Sequence, residues 1–508
     1  MNARNHDDGR PAEPSASPGR GAGSSGRGAP EGAGEPQASV DGAPQGGGEA
    51  RTDVTEGLGR RILALAVPAL GALIAEPLFL LADTAIVGHL GTAQLAGVGL
   101  GTTVLHTATG LLIFLAYATT PAVARLTGAG RGDEAMARGR DGMWLGVLIG
   151  VVLAVAGWFA APWLVGALGG SGEVQEHAVA YLRWSMPGIP ALLAVLAATG
   201  VLRGLQDTRT PLVVAAAGFG VNIVLNWALV YGAGLGVAGS AIGTSVVQWA
   251  MLVTYLLVLA PRFRAAETGW VPSGAGMRAT AQVGSWLLLR TASLRLAILL
   301  TVLVATGAGD EVLAAHQLVF TLFSTLAFAL DALAIAAQAL IGHELGRGDV
   351  RTARELTRVM VRWSLWFGVI TGILLGGLAW VLPPLFTGEP GVQAAATAGL
   401  LVLALSQPLA GYVFVLDGVL IGAGDARYLA LAGVVNVAVY APVLSVIAEV
   451  AAGGLGWTVD WSDPWANVPA PPEQLAMLWV GFGFVYMGMR ALTLGLRSRS
   501  DAWMRAGA

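Results

Sequence analysis

The sequence has no cysteine in 508 residues, which excludes disulfides, thiolate metal sites and a cysteine nucleophile. Lysine is missing too: all 29 basic residues are arginine. Charge as a whole is scarce. Asp, Glu and Arg make up 12% of the chain, about half the share of a soluble domain. The formal net charge is only −3, and no nucleic-acid partner is expected. Motifs for chemistry are equally sparse. There is no Walker loop and no G-x-S-x-G, so the chain gives no basis for ATP-driven transport or serine hydrolysis. "HELGR" at 343–347 carries half of a zinc-protease motif, but Arg347 stands where the second histidine belongs. No paired catalytic groups can be recognised. The expectation is a protein that is not an enzyme and holds no metal or cofactor.

What the chain does have is oil. Hydrophobic residues make up 55% and the mean hydropathy is +0.66. Apolar runs long enough to cross ~30 Å of hydrocarbon fall near 62–88, 96–124, 143–168, 178–202, 210–231 and 236–260. A second set falls near 280–306, 311–342, 360–386, 393–421, 428–450 and 474–496. Twelve runs predict an all-α polytopic membrane protein. Arginine gathers in the connections after even-numbered runs: Arg125, Arg131, Arg138 and Arg140, then Arg262, Arg264 and Arg278, then Arg347, Arg351, Arg354 and Arg358. Odd-numbered connections carry acids instead, such as Glu173, Glu176, Asp310 and Glu311, with Asp460 and Asp463 in the long 453–473 loop. Positively charged loops stay inside, so both termini are expected in the cytoplasm. Residues 1–56 are rich in Gly, Pro, Ser and Ala and lack large apolar side chains. They read as a disordered cytoplasmic tail without the apolar core and cleavage site of a signal peptide.

The two halves echo each other. "GVLRGLQDTR" from Gly200 and "GVLIGAGDAR" from Gly418 lie 218 residues apart, as do Pro190 and Pro408. "AGRGD" at 129–133 and "LGRGD" at 345–349 lie 216 apart, which suggests a small indel. In both, Gly would relieve the backbone and Asp would cap the next helix. Two six-helix lobes, 57–265 and 266–500, would be related by a parallel pseudo-two-fold repeat along the membrane normal, followed by a cytoplasmic tail at 501–508. A cleft between such lobes suits a transporter that opens alternately to each side.

With these stretches in view, the chain resembles the multidrug and toxic compound extrusion (MATE) transporters, in their DinF-like branch. The resemblance runs over about 57–500. It rests on "PLFLLADTAIVGHLGTAQLAGVG" at 77–99, "VNIVLNWALVYGAGLGVAGSAIGT" at 221–244, "RTASLRLAILLTVLVATGAGDEVLAAHQ" at 290–317 and "LDALAIAAQALIGHELGRGD" at 330–349. It implies a monomeric antiporter in a bacterial inner membrane. Such a protein exports a cationic drug or an organic acid against inward H⁺, in preference to Na⁺. Two rival readings are a lipid-linked oligosaccharide flippase of the same superfamily and a non-transport channel or assembly factor. The first would show 13 or 14 spans and a basic cavity; the second would need neither a buried acid nor the repeat.

Glu76 and Asp83 stand out in the first apolar run. A carboxylate at mid-bilayer costs about 2.5–3.5 kcal/mol on insertion scales, so it must face a polar cavity or be protonated. Seven residues apart, the two share a helix face about 10 Å apart. The resemblance implies that Asp83 carries coupling protons, with Asn222, Asn226 and Thr244 in the same polar cluster. Many prokaryotic relatives have Asp at the Asn226 position; an amide cannot exchange a proton near neutral pH, so the burden falls on Asp83, with Glu76 as a possible helper. Under the 218 shift these positions face Thr301, Tyr440 and Leu444, so the cluster belongs to one lobe. Pro68 and Pro77 are expected to kink the first helix. In the second half Arg290, Arg295, Asp331, Gln338 and Asp417 are candidates for the substrate cavity. The plainer reading of Arg290 is an ion pair with Asp331 or Asp417.

Overall fold

A computed structural model describes residues 49–451 and 470–507; side chains are described from Gly57 onward, except that of Glu76. Among these residues, regular structure is entirely helical. Twelve helices are long and apolar enough to cross a membrane. In the first half they are Gly57–Gly88, Thr92–Gly128, Gly132–Ala167, Gly172–Gly204, Arg209–Gly232 and Gly236–Ala265. In the second they are Gly274–Gly307, Asp310–Gly346, Val350–Leu378, Pro390–Gly422, Ala426–Ala451 and Pro471–Arg499. Every apolar run in the sequence is one of these spans. Most spans are longer than the runs because their Arg-rich ends continue the helix beyond the apolar stretch. The ninth run is the exception: its helix starts earlier and stops at Leu378, and Leu382–Phe386 forms a separate short helix. Pro383 and Pro384 suit a first turn rather than an interior. The first helix begins at Glu49, inside the stretch read as a disordered tail; residues 1–48 lie outside the described residues, as do 452–469 of the long loop with Asp460 and Asp463.

The repeat is more regular than the sequence suggested. Helix ends at Gly128 and Gly346, left-handed glycines at Gly130 (φ 74°) and Gly348 (φ 78°), and helix starts at Gly132 and Val350 all keep the 218 shift. There is no indel. The two GRGD tetrapeptides sit two residues out of step on equivalent turns, because the turn requires only a glycine at the left-handed position. As a result Asp349 caps its helix, accepting from the Thr352 amide at 3.0 Å. Asp133 does not cap; it lies in the first turn of the third span. The next turn shows the same rule under strain. Gly424 (φ 74°) is matched by Gln206 (φ 61°), a side chain held where glycine is favoured.

The fourth and tenth spans, equivalents under the repeat, are the most enclosed. In the first lobe the fourth packs against the second, third and sixth; in the second lobe the tenth packs against the eighth, ninth and twelfth. Small residues permit this. Gly146 and Gly150 face the backbone of Leu193 and Pro190, and Gly368 and Gly411 do the same on Pro408 and Ser364. The first span lies along the fifth, with Phe79 stacked on Phe219 at 5.1 Å and Gly71 against Leu212. It stays a single helix through Pro68 and Pro77. Each proline removes one backbone donor, so the carbonyls of Ala64 and Leu73 lack their intrahelical partners.

Candidate functional site

The first candidate site lies where the first, fifth and sixth spans meet. Asp83 is 3% exposed and Asn226 fully buried. One carboxylate oxygen, Oδ1, accepts from Asn226 Nδ2 at 2.8 Å and from Ser240 Oγ at 2.6 Å. The Asn226 amide also donates to Asn222 Oδ1 at 2.8 Å, and Asn222 donates to Thr244 Oγ1 at 3.2 Å. The bonds therefore link Asp83, Asn226, Asn222 and Thr244 in a row, with Asn226 donating in both directions and Thr244 accepting at the far end. Helical spacing builds it: Asn222 and Asn226 are one turn apart on the fifth span, Ser240 and Thr244 one turn apart on the sixth. Gly243 makes room, since a Cβ there would overlap Asn226 Oδ1. Among the described residues no cation pairs with Asp83; its direct partners there are neutral. The ring of Tyr181 lies within electrostatic reach. The side chain is enclosed by protein and makes no ion pair among the described residues.

So the structure brings together four of the five residues expected for coupling. The fifth, Glu76, lies outside the described side chains. Ser240 was missed. Its signal was the i, i+4 spacing to Thr244 within a Gly-rich stretch that otherwise reads as packing. In the other lobe the equivalent positions hold a neutral pair, Thr301 bonded to Tyr440 at 2.8 Å. The acid has no twin.

The second candidate site lies in the other lobe. Arg290 forms a two-pronged ion pair with Asp417. Arg490, from the twelfth span, reaches the same carboxylate at 3.4 Å. These three, with Asn436, Tyr486, Leu294 and Leu494, line a small cavity of about 20 Å³, room for about one water molecule. The Arg290 guanidinium also stands 6.0 Å from the ring of Tyr117 on the second span, so the cavity borders the first lobe. Among the described residues Asp331 makes no direct ion pair; Arg203, Arg290 and Arg490 lie within its electrostatic reach. Gln338 is buried where the eighth span crosses the tenth at Gly422, away from the cavity. Arg295 is exposed, its guanidinium against Gly110 of the second span. Arg203 and Arg490 were not singled out from sequence, since each sits near a span end where arginine is ordinary.

The third feature closes the Arg-rich face. A Cβ on Gly128 would overlap the His343 carbonyl, and one on Gly346 the Arg125 carbonyl. Positions 125 and 343, and 128 and 346, are repeat equivalents, so the second and eighth spans cross face to face about the pseudo-axis. The Arg-rich half of the second span packs on the eighth; its other half shares no comparable contact with it. Arg61 bonds the buried Glu344 at 2.6 Å. Arg125 donates to the carbonyls of Ala423 and Arg505 at 2.6 and 2.7 Å and to that of Gly507. The tail from 501 is docked here, with Trp503 2% exposed. The cleft is thus shut at one end.

The chain is similar to plant proteins of the DETOXIFICATION group. It is 29% identical to "Protein DETOXIFICATION 44, chloroplastic" of Arabidopsis thaliana over 478 residues, covering 88% of this chain and 84% of that one. It is 26% identical to "Protein DETOXIFICATION 43" of the same plant, covering 76% and 84%. Its fold matches that of the Vibrio cholerae MATE transporter VcmN in the bent form, with a TM-score of 0.78, 19% identity, and coverage of 89% of this chain and 99% of that one. The MatE family model matches twice, at residues 68–228 and 289–447, once in each half. Those two stretches span well over half of the sequence, and this chain, a twelve-span membrane protein of two lobes, belongs to the MatE family of transporters of small molecules.

Proposed function

We propose that this protein is a proton-driven exporter in which Asp83 carries the coupling proton. It would sit as a monomer in a bacterial inner membrane with both ends in the cytoplasm, in the DinF-like branch. Its lobes would run over 57–265 and 266–500. The observation that carries the reading is the buried carboxyl of Asp83, whose donors among the described residues are all neutral. An acid held by a cation has a fixed charge; one held by an amide and a hydroxyl can be charged or neutral as its access to water changes.

The steps follow from the partners. When a proton from outside neutralises Asp83, Asn226 and Ser240 lose the negative charge they hold, and the first span is freed from the fifth and sixth. The unpaired carbonyls at Ala64 and Leu73 lower the cost of bending it. Its movement disturbs Arg61, seven residues before Pro68, and with it the ion pair to Glu344 that helps shut the Arg-rich face. On that face the proton leaves and the cycle resets. The sole described carboxylate among these amides and hydroxyls favours H⁺ over Na⁺, since hard cations prefer several charged oxygens. Reconstituted vesicles with an acid exterior test this. Substrate efflux should follow the proton gradient and ignore a sodium gradient; efflux that follows sodium alone would remove the reading.

A further inference from the structure

We propose that Tyr231 is a positioning residue for the coupling acid: its hydroxyl clasps the end of the first span and keeps Asp83 seated against Asn226 and Ser240. This rests on the exporter reading and adds a residue to it.

A tyrosine near the end of a span is ordinarily an anchor at the membrane interface. Two features set Tyr231 apart. The first is the winding of the helix that carries it. The fifth span is a regular α-helix up to Trp227 and then widens into a π turn over Ala228–Gly232. The Ala233 amide reaches back five residues to the Ala228 carbonyl at 2.9 Å, and the Leu235 amide reaches six to that of Leu229 at 3.1 Å. In an α-helix the residues that follow Asn226 on its own face are Leu229 and Val230. A wider turn brings the fifth residue round instead, so Tyr231 comes to the side of Asn226. Both then reach the first span, Asn226 at Asp83 and Tyr231 at Ile86. Single π turns within α-helices are rare and gather at functional sites.

The second feature is the group that Tyr231 holds. The first span ends at Gly88, and the last carbonyls of a helix have no partner within it. The Leu90 amide bonds the Val87 carbonyl at 2.9 Å rather than that of Ile86. The Tyr231 hydroxyl donates to the Ile86 carbonyl at 2.5 Å. Ile86 lies three residues beyond Asp83, on the adjoining turn. Three donors from the fifth and sixth spans thus grip the end of the first: Asn226 and Ser240 at the carboxylate, Tyr231 at the backbone. Beside them Val87 is fully buried, packed with Val98, Tyr181, Val237 and Ala241.

The two grips differ in kind. The hold on Asp83 weakens when the carboxylate is neutralised, because charge-assisted hydrogen bonds are stronger than neutral ones. The hold on Ile86 is neutral throughout and does not change. Tyr231 therefore fixes the register in which Asp83 meets its donors. Without it the acid can leave its seat while still charged, and export slips out of step with protons.

The chain has no cysteine, so a single Val87→Cys reports whether this end of the first span is seated. The full chain is purified and reconstituted, and maleimide labelling is normalised to that of a cysteine at the exposed Glu173. Tyr231→Phe removes the hydroxyl alone and keeps the ring beside Trp227. It should label about fivefold faster or more, with a thermal midpoint close to the parent's. Asp83→Asn should also label faster. A hydroxyl that only added stability would act independently of Asp83, and the two accelerations would multiply in the double variant. Positioning makes them overlap: once the clasp is gone the acid is already out of register, so the double variant should label well below the product. An unchanged rate in Tyr231→Phe, or a double variant at the full product, would overturn the proposal. The exporter reading fails separately. It expects the parent to label faster as the outside is made acid, and Asp83→Asn to lose that response. A parent indifferent to acid would remove that reading and leave the clasp in place. So would a response that Asp83→Asn keeps, owed then to His89, Glu173, Glu176, His177 or Tyr181 at the same end of the spans.

Discussion

Replacing Gly346 by alanine should prop the Arg-rich face open. The new Cβ would stand 2.9 Å from the Arg125 Cα, where two carbons rest at about 3.5–4.0 Å. The Arg125 carbonyl oxygen and carbon lie nearer still, so the second and eighth spans must part by at least roughly 0.6–1.1 Å. Both sides of the contact are backbone, so no side chain can swing away to absorb the clash. The same step stretches the bonds that bridge the lobes here. Arg61 to Glu344, at 2.6 Å, would move beyond strong hydrogen-bond range, as would Arg125 to Ala423, also at 2.6 Å. Hydrogen bonds to charged groups contribute about 1.5–3 kcal/mol each. Losing even one shifts a two-state equilibrium by about tenfold or more. The native chain has no cysteine, so a single Thr127→Cys reporter can be labelled alone. The Thr127 hydroxyl is buried in the closed face, and a thiol there is protected while the face is shut. Maleimide labelling should accelerate at least tenfold in the Gly346→Ala background, and Gly128→Ala should do the same through the His343 carbonyl. A folded double variant that labels at the parent rate would refute the claim that this crossing is the gate.

Three further outcomes follow from the same contacts. Asn226→Asp would set two carboxyls at hydrogen-bond distance, where both cannot ionise at once; the pair should share a proton, and the pH profile of transport should shift measurably from that of the parent. Ser240→Ala should remove one of the two donors on Asp83 and cost about 1–2 kcal/mol in thermal unfolding, with the pH profile displaced; an unchanged profile would count against its contact with the acid. Asp349 is held below the usual carboxylate range by the Thr352 amide and hydroxyl. Its stabilising effect is therefore present at neutral pH and fades as pH falls through its lowered folded value. Asp349→Ala should cost about 1 kcal/mol near neutrality and much less in acid, read from the thermal midpoint.

Length, hydropathy and the parity of arginine were enough to read the twelve spans, because a bilayer imposes a length on every helix that crosses it. The repeat was legible for a related reason: Gly130 and Gly348 occupy equivalent turns whose backbone only glycine takes easily. The GRGD motif misled, since it aligned letters where the turn aligned conformations. In the first candidate site an acid in an apolar run announces itself, and Asp83 did. Ser240 did not, because a serine among glycines reads as a packing residue until its neighbour across the helix is known. Glu344 was hidden for another reason. In "HELGR" it looked like half of a motif for metal chemistry, and only the fold brings Arg61 to it from 283 residues away. Arg203 and Arg490 belong to spans whose ends carry arginine anyway. Proximity across the lobe boundary, which no local pattern encodes, makes them a cluster.

The most direct test of the account is proton movement by Asp83→Asn in sealed vesicles. The substitution keeps an oxygen that can accept from Asn226 and Ser240, so the fold should survive with a thermal midpoint close to the parent's. The account expects substrate still to bind while an imposed pH gradient no longer drives its export. Export by the variant that tracks the pH gradient as steeply as the parent's would contradict it.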